Sequence, residues 1–78
     1  MQRNRRILIV DDDATAVELL QDLLADQGYA VAVALSVDEG IEQLATESYD
    51  VAVVDLKMPR RSGVDFLEHA VHHYPELQ

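Results

Sequence analysis

The sequence predicts an α/β protein with a doubly wound parallel sheet. Two short apolar runs, Ile7–Val10 and Val51–Val54, each lead directly into aspartate. Continuous runs of this length are typical of strands that are buried on both faces of a parallel sheet. Strand-like and helix-like segments also alternate three times along the 78 residues, without a linker between them. Successive βα units of this kind cover a parallel sheet with helices through right-handed crossovers.

The first helix is predicted over about Ala14–Gln27, directly after the first strand. Thr15 and Glu18 have the spacing of a capping box at its start. Gly28 suits the position just past its end, where the backbone often turns left-handed. The apolar residues recur at helical spacing and form one broad face. This face comprises Ala16, Val17, Leu19, Leu20, Leu23 and Leu24.

The second βα unit is predicted to begin with a strand over Tyr29–Ala34. Ser36 and Glu39 then have the spacing of a capping box, and the second helix should end near Ser48. An apolar face at helical spacing supports this helix. The face comprises Val37, Ile41, Leu44 and Ala45.

The third unit consists of the strand Val51–Val54, a loop over Leu56–Ser62 and a helix from about Gly63. Pro75 should end this helix, because proline cannot continue the hydrogen-bond ladder. We expect the apolar residues of the helix to face inward against the sheet. They are Val64, Leu67, Ala70, Val71 and Tyr74.

Composition limits the possible functions. A chain of 78 residues forms at most one small domain, and an apolar fraction of 49% suffices for its core. The net charge of −9 disfavours binding to nucleic acid or to an anionic membrane, because their phosphate groups would be repelled. The chain has no cysteine and no apolar stretch long enough for a signal peptide or a membrane span. We therefore expect a cytoplasmic protein.

Acidic side chains follow the first and third predicted strands, at the point where each strand ends. If the second strand flanks the first on its other side, the first and third strands are neighbours and their carboxyl ends meet. Asp11, Asp12 and Asp55 would then converge, and clustered carboxylates favour a divalent cation. Oxygen ligands suit Mg²⁺, which could hold a phosphoryl donor against one carboxylate acting as a nucleophile. The sequence therefore predicts metal-assisted phosphoryl transfer.

Each acidic site also has a purely structural interpretation. Asp12 or Asp13 could cap the first helix, and Asp55 could be a turn residue. A helix cap does not explain why the second acidic strand end is followed by a tight loop that reaches Gly63. The coincidence of the two acidic strand ends with this loop favours a functional site.

The segments Ile7–Asp13 and Val53–Gly63 resemble the receiver domain of two-component response regulators in sequence, spacing and chain order. The resemblance implies a flavodoxin-like receiver fold in which Asp55 is the phosphoacceptor. It also implies a Mg²⁺ ion that Asp12 binds directly and that Asp11 contacts largely through water. The implied metal ligands are Asp11, Asp12, Asp55 and the backbone carbonyl of Lys57.

The same resemblance implies how the chain is used. A sensor histidine kinase or a phosphotransfer protein would supply the phosphoryl group, and phosphorylation would switch an output. The chain would not be an enzyme, apart from catalysing its own phosphorylation. Similar domains have about 120 residues in about five βα units, so we expect residues 1–78 to be the N-terminal portion of a receiver domain, truncated after the third unit. The third strand would then offer an apolar edge through which the chain could form homo-oligomers.

Two other functions remain open. Ile7–Thr15 also resembles the nucleophile motif of haloacid-dehalogenase-like phosphatases, with Asp11 as the nucleophile and Asp13 as the general acid. That motif requires a lysine and further acidic residues far downstream, and it leaves the second acidic site unexplained. A receiver-like interaction module that is not phosphorylated is the other alternative.

His69 and His73 could face one metal ion, although histidines in a last helical turn are more typical of partners for the helix dipole.

Overall fold

The protein folds as βα units around a parallel sheet, in a computed structural model that describes residues 5–55 and 63–77. Within this part of the chain the strands lie in the order second, first, third, and both pairings are parallel. The predicted strand order and the doubly wound α/β class are confirmed. Observed and predicted bounds differ by one or two residues at one end of the first and second strands and of the first and second helices. The elements are β1 (Arg6–Val10), α1 (Ala14–Asp26), β2 (Ala30–Ala34), α2 (Val37–Thr46), β3 (Val51–Val54) and α3 (Gly63–His73).

β1 is the centre of the sheet, and its apolar residues are buried on both faces. Leu8 and Val10 pack on one face with residues of α2 and α3. Ile7 and Ile9 pack on the other face with Val17 of α1. The helices therefore cover both sides of the sheet, as a doubly wound fold requires. Among the described residues, the helices are too short or too polar to cross a membrane.

β3 is less buried than the sequence predicts. Val53 is 41% exposed, and the other three residues of this strand are half-buried. Val53 pairs with Ile9, so it lies on the face of the sheet that α1 covers. α1 packs mainly over β1 and β2 and leaves Val53 accessible. The prediction of burial on both faces is therefore correct for β1 and wrong for β3.

Asp13 begins α1. Its carboxylate accepts hydrogen bonds from the backbone N–H groups of Thr15 and Ala16, at 3.0 and 3.2 Å. The capping box predicted for Thr15 and Glu18 is wrong. Thr15 already lies within the first turn, and the Asp13 carboxylate accepts the hydrogen bonds from the free N–H groups of that turn. Gly28 follows the helix end as predicted, and its φ of 91° explains why glycine stands there.

A glycine and a phenylalanine allow α2 and α3 to pack closely. α2 begins at the predicted cap, where the Glu39 N–H donates to Ser36 Oγ at 3.1 Å. A Cβ atom at Gly40 would lie 2.7 Å from Cε1 of Phe66 and 3.0 Å from Cγ2 of Val10. Phe66 is fully buried and is the largest such side chain in the described part of the protein. The Phe66 ring can therefore lie there only because Gly40 has no side chain.

The apolar face of α3 differs from the predicted one. Val64, Leu67 and Val71 are exposed, Val71 by 72%, whereas Phe66 and Ala70 face the core. Two overlapping apolar stripes satisfy helical spacing on this helix, and packing against α2 selects the stripe that contains Phe66. In α1 and α2, the exposed members of the predicted faces are Ala16, Leu19, Leu23 and Ala45.

Candidate metal centre

Two neighbouring strands bring acidic residues to one edge of the sheet. Asp11 follows β1, and Asp55 follows β3. The Asp55 N–H donates to the Val10 carbonyl at 2.9 Å. The Asp11 N–H donates to the Ala34 carbonyl of β2 at 3.1 Å. These bonds continue the ladders just past the strands, so the sheet itself holds the backbone of both aspartates.

The carboxylates of Asp11, Asp12 and Asp55 form one cluster. One oxygen from each lies within 4.8 Å of the other two. Asp11 and Asp55 are half-buried and Asp12 is exposed, so the cluster is open to solvent. The structure therefore brings together the three side chains that the sequence predicts to converge.

The turn between β1 and α1 gives its aspartates different environments. The Asp13 N–H donates to Asp11 Oδ1 at 3.0 Å, which orients the Asp11 carboxylate. Asp13 uses its own carboxylate to cap α1, whereas Asp12 belongs to the acidic cluster. The bond to Asp11 was not predicted, although aspartates often bind the backbone two residues further on. The structural interpretation of the acidic run thus holds for Asp13 and does not account for Asp12.

The donor set fits Mg²⁺. All three groups are carboxylates, and Mg²⁺ prefers hard oxygen ligands. Mg²⁺ normally binds only a few carboxylates and fills its other positions with water or phosphate oxygens, for which the exposed side of the cluster leaves room. Carboxylates this close repel one another, so a divalent cation would lower the free energy of the cluster.

Part of the predicted site lies outside the described residues. Lys57, whose backbone carbonyl is an implied Mg²⁺ ligand, belongs to that part of the chain, as does the loop Leu56–Ser62. After this segment, Gly63 is buried at the start of α3. The contribution of Lys57 and the loop stays a prediction.

Comparison with known families gives a match over most of the chain. The model of the family described as "Response regulator receiver domain" matches residues 7–78. The chain belongs to the response regulator receiver family. The receiver is 41% identical to the transcriptional regulatory protein DltR of Streptococcus agalactiae over 63 residues, which are 81% of this chain and 28% of DltR. The chain thus spans little more than a quarter of the length of that relative.

Solved structures of similar receivers have the same fold. A CheY-like receiver domain protein from Methanospirillum hungatei has a TM-score of 0.95 and 33% identity, over 97% of this chain and 61% of that protein chain. TrrA from Thermotoga maritima, solved in complex with Mg²⁺-BeF, has a TM-score of 0.91 and 28% identity, over 95% of this receiver and 64% of TrrA. TrrA has also been solved in complex with the histidine kinase ThkA. These likenesses confirm the predicted receiver fold.

Proposed function

We propose that this receiver accepts a phosphoryl group on Asp55 in the presence of Mg²⁺ and thereby switches an output. The proposal rests on the cluster of Asp11, Asp12 and Asp55 at the carboxyl ends of β1 and β3. The complex of the similar receiver TrrA with Mg²⁺-BeF supports it. Residues 1–78 would form the N-terminal portion of the domain, since they cover 61% of the receiver from M. hungatei.

Asp55 is the proposed nucleophile. One of its carboxylate oxygens would attack the phosphorus atom of the donor and form a new P–O bond. The bond between phosphorus and the donor would break at the same time, and its electron pair would leave with the donor. The product is an acyl phosphate on Asp55. The hydrogen bond from the Asp55 N–H to the Val10 carbonyl fixes the nucleophile against the sheet and so helps to orient its attack.

Asp11 and Asp12 would hold the metal ion, Asp12 directly and Asp11 largely through water. Bound Mg²⁺ would offset the negative charge on the transferring phosphoryl group. The Asp13 N–H occupies one oxygen of Asp11 and leaves the other for a water molecule. Lys57 would add its backbone carbonyl to this set of ligands.

The position of the acyl phosphate tests the proposal. The protein is treated with acetyl phosphate and Mg²⁺, reduced with borohydride to convert the phosphorylated aspartate into homoserine, and analysed by tandem mass spectrometry. We expect conversion at Asp55. Conversion at Asp11 would instead favour the phosphatase-like motif, and no conversion would favour an interaction module.

Mg²⁺ affinity should depend on Asp12. We expect weak binding, with a dissociation constant of about a millimolar, because the ion gives up little of its hydration to this open cluster. Asp12→Ala should weaken binding by at least about tenfold, whereas Asp22→Ala, which removes an exposed carboxylate from α1, should not. A titration followed by backbone amide shifts in NMR measures both. If both substitutions weakened Mg²⁺ binding equally, the fall in affinity would come from the loss of negative charge in general and not from the loss of a metal ligand.

The natural phosphoryl donor would be a sensor histidine kinase or a phosphotransfer protein. The complex of TrrA with the kinase ThkA supports a partner of this kind. The net charge of −9 disfavours nucleic acid and anionic membranes as partners of this segment. Because histidine kinases draw on ATP, we propose that the receiver acts in the cytoplasm.

Self-association through β3 is a further expected property of the 78-residue chain. Among residues 5–55 and 63–77, β3 pairs only with β1, and Val51–Val54 contains neither proline nor a charge to block pairing at the other edge. Val53→Lys should favour the monomer, whereas Leu23→Lys on the exposed side of α1 should not. Size-exclusion chromatography with light scattering measures the mass. A wild-type chain that stays monomeric at every concentration would contradict the expectation.

A further inference from the structure

The end of α3 carries a group of histidines that the phosphoacceptor site does not use. His69 is half-buried, and His72 and His73 are exposed. Tyr74, which follows directly, lines a cavity together with Tyr49, and Tyr49 lies just before β3. The histidines therefore lie near the amino-terminal edge of the sheet, at the opposite end from the acidic cluster.

Two of these imidazole rings lie side by side. His69 and His73 are four residues apart, so they share one face of the helix, and their ring centroids are 4.5 Å apart with an angle of 39° between the ring planes. His72 meets the ring of His73 edge-on, at 5.2 Å and 82°. Histidines at positions i and i+4 of a helix are a recurrent way to bind zinc.

The centroid separation is close to that of two rings that bind a single ion. Zinc lies about 2.0 to 2.1 Å from a histidine nitrogen, which places each ring centroid about 3.2 Å from the metal. Two such rings at the tetrahedral angle of about 109° around the ion have centroids about 5.2 Å apart. The observed separation of 4.5 Å between His69 and His73 is shorter by less than about 1 Å, which a small rotation of either side chain would supply.

The surroundings also favour a cation. The carboxyl end of a helix carries a partial negative charge, and the whole chain has a net charge of −9. Imidazole nitrogen is a borderline ligand that prefers Zn²⁺, Ni²⁺ or Cu²⁺ over Mg²⁺. The histidine pair and the acidic cluster should therefore select different metals.

We propose that His69 and His73 form a bidentate site for a divalent transition-metal ion such as Zn²⁺. Water completes the coordination, because His73 lies on the exposed side of α3. The ion links two successive turns of the helix and stabilises its end. This site is independent of phosphorylation at Asp55.

Zinc binding in the presence of excess Mg²⁺ tests the proposal, because Mg²⁺ competes for the carboxylates and not for imidazole. Affinity is measured by competition with a chromogenic zinc chelator. His69→Gln and His73→Gln should each weaken binding by at least about tenfold. His72→Gln is the matched control and should leave the affinity unchanged. The proposal would be overturned if all three variants bound zinc as tightly as the wild type. It would also be overturned if all three lost affinity to the same extent.

A second measurement on the wild-type protein avoids any effect of substitution on folding. The ring protons of each histidine are followed by NMR during the zinc titration. Zinc should shift the ring signals of His69 and His73 together and at the same concentration, with smaller shifts at His72. Ring signals of His69 and His73 that do not move would overturn the proposal, whatever the variants do.

Discussion

Replacing Asp55 by asparagine is expected to abolish acyl phosphate formation, with a loss of at least about 10⁴-fold in rate. Asparagine has nearly the same size as aspartate, and its backbone N–H can still donate to the Val10 carbonyl. The fold should therefore survive while the nucleophilic carboxylate is lost. Incorporation of a radiolabelled phosphoryl group from acetyl phosphate in the presence of Mg²⁺ measures the effect.

Asp13→Asn is the matched control for this substitution. It removes the same charge close to the site, but asparagine caps a helix as well as aspartate does, so the bonds to Thr15 and Ala16 can persist. Labelling should stay within a few-fold of the wild type. The phosphatase-like alternative makes the opposite prediction, because Asp13 is its general acid and Asp11 its nucleophile. An Asp55→Asn protein that is labelled at Asp11 would refute the receiver mechanism.

Replacing Phe66 by alanine should be the most destabilising single substitution in the core. The side chain is fully buried between α2 and the sheet, and truncation of a buried phenylalanine costs about 3 to 5 kcal/mol. Typical domains have only about 5 to 15 kcal/mol of stability, and small ones are at the lower end. Urea unfolding followed by circular dichroism should show a large fall in midpoint, or no cooperative transition at all.

Val71→Ala provides the control on the same helix. Val71 is 72% exposed, so its truncation should change the free energy of unfolding by no more than about 0.5 kcal/mol. Both substitutions remove apolar atoms from α3, a buried aromatic ring at Phe66 and two largely exposed methyl groups at Val71. Similar effects from the two substitutions would mean that Val71 is buried in the core, in contradiction to the exposure seen here.

The clustering of Asp11, Asp12 and Asp55 was predicted correctly, because it depends on where the strands end and on their order. Apolar runs that end directly in aspartate place Asp11 and Asp55 at strand ends, and the parallel strand order then brings them together. The turn at Gly28 and the cap at Ser36 were also predicted correctly, because each depends on a few neighbouring residues.

Helix faces and caps were harder where two candidates compete. Phe66 was missed as a core residue, because Val64, Leu67 and Val71 form an apolar stripe that fits helical spacing equally well in the sequence. Only the space made by Gly40 on another helix decides between the stripes. The cap of α1 stayed open between Thr15 and Asp12 or Asp13 for a similar reason, since all three are good caps and lie within one turn of each other.

The fit between Gly40 and Phe66 has a consequence for local unfolding. α2 has ten residues, fewer than the roughly 12 to 15 that an isolated helix needs to persist in water, and an internal glycine costs it about 1 kcal/mol more. α2 therefore depends on the docked Phe66 ring, and the two helices should open together as one cooperative unit. Amide hydrogen exchange in α2 and in α3 should therefore rise together when either helix opens.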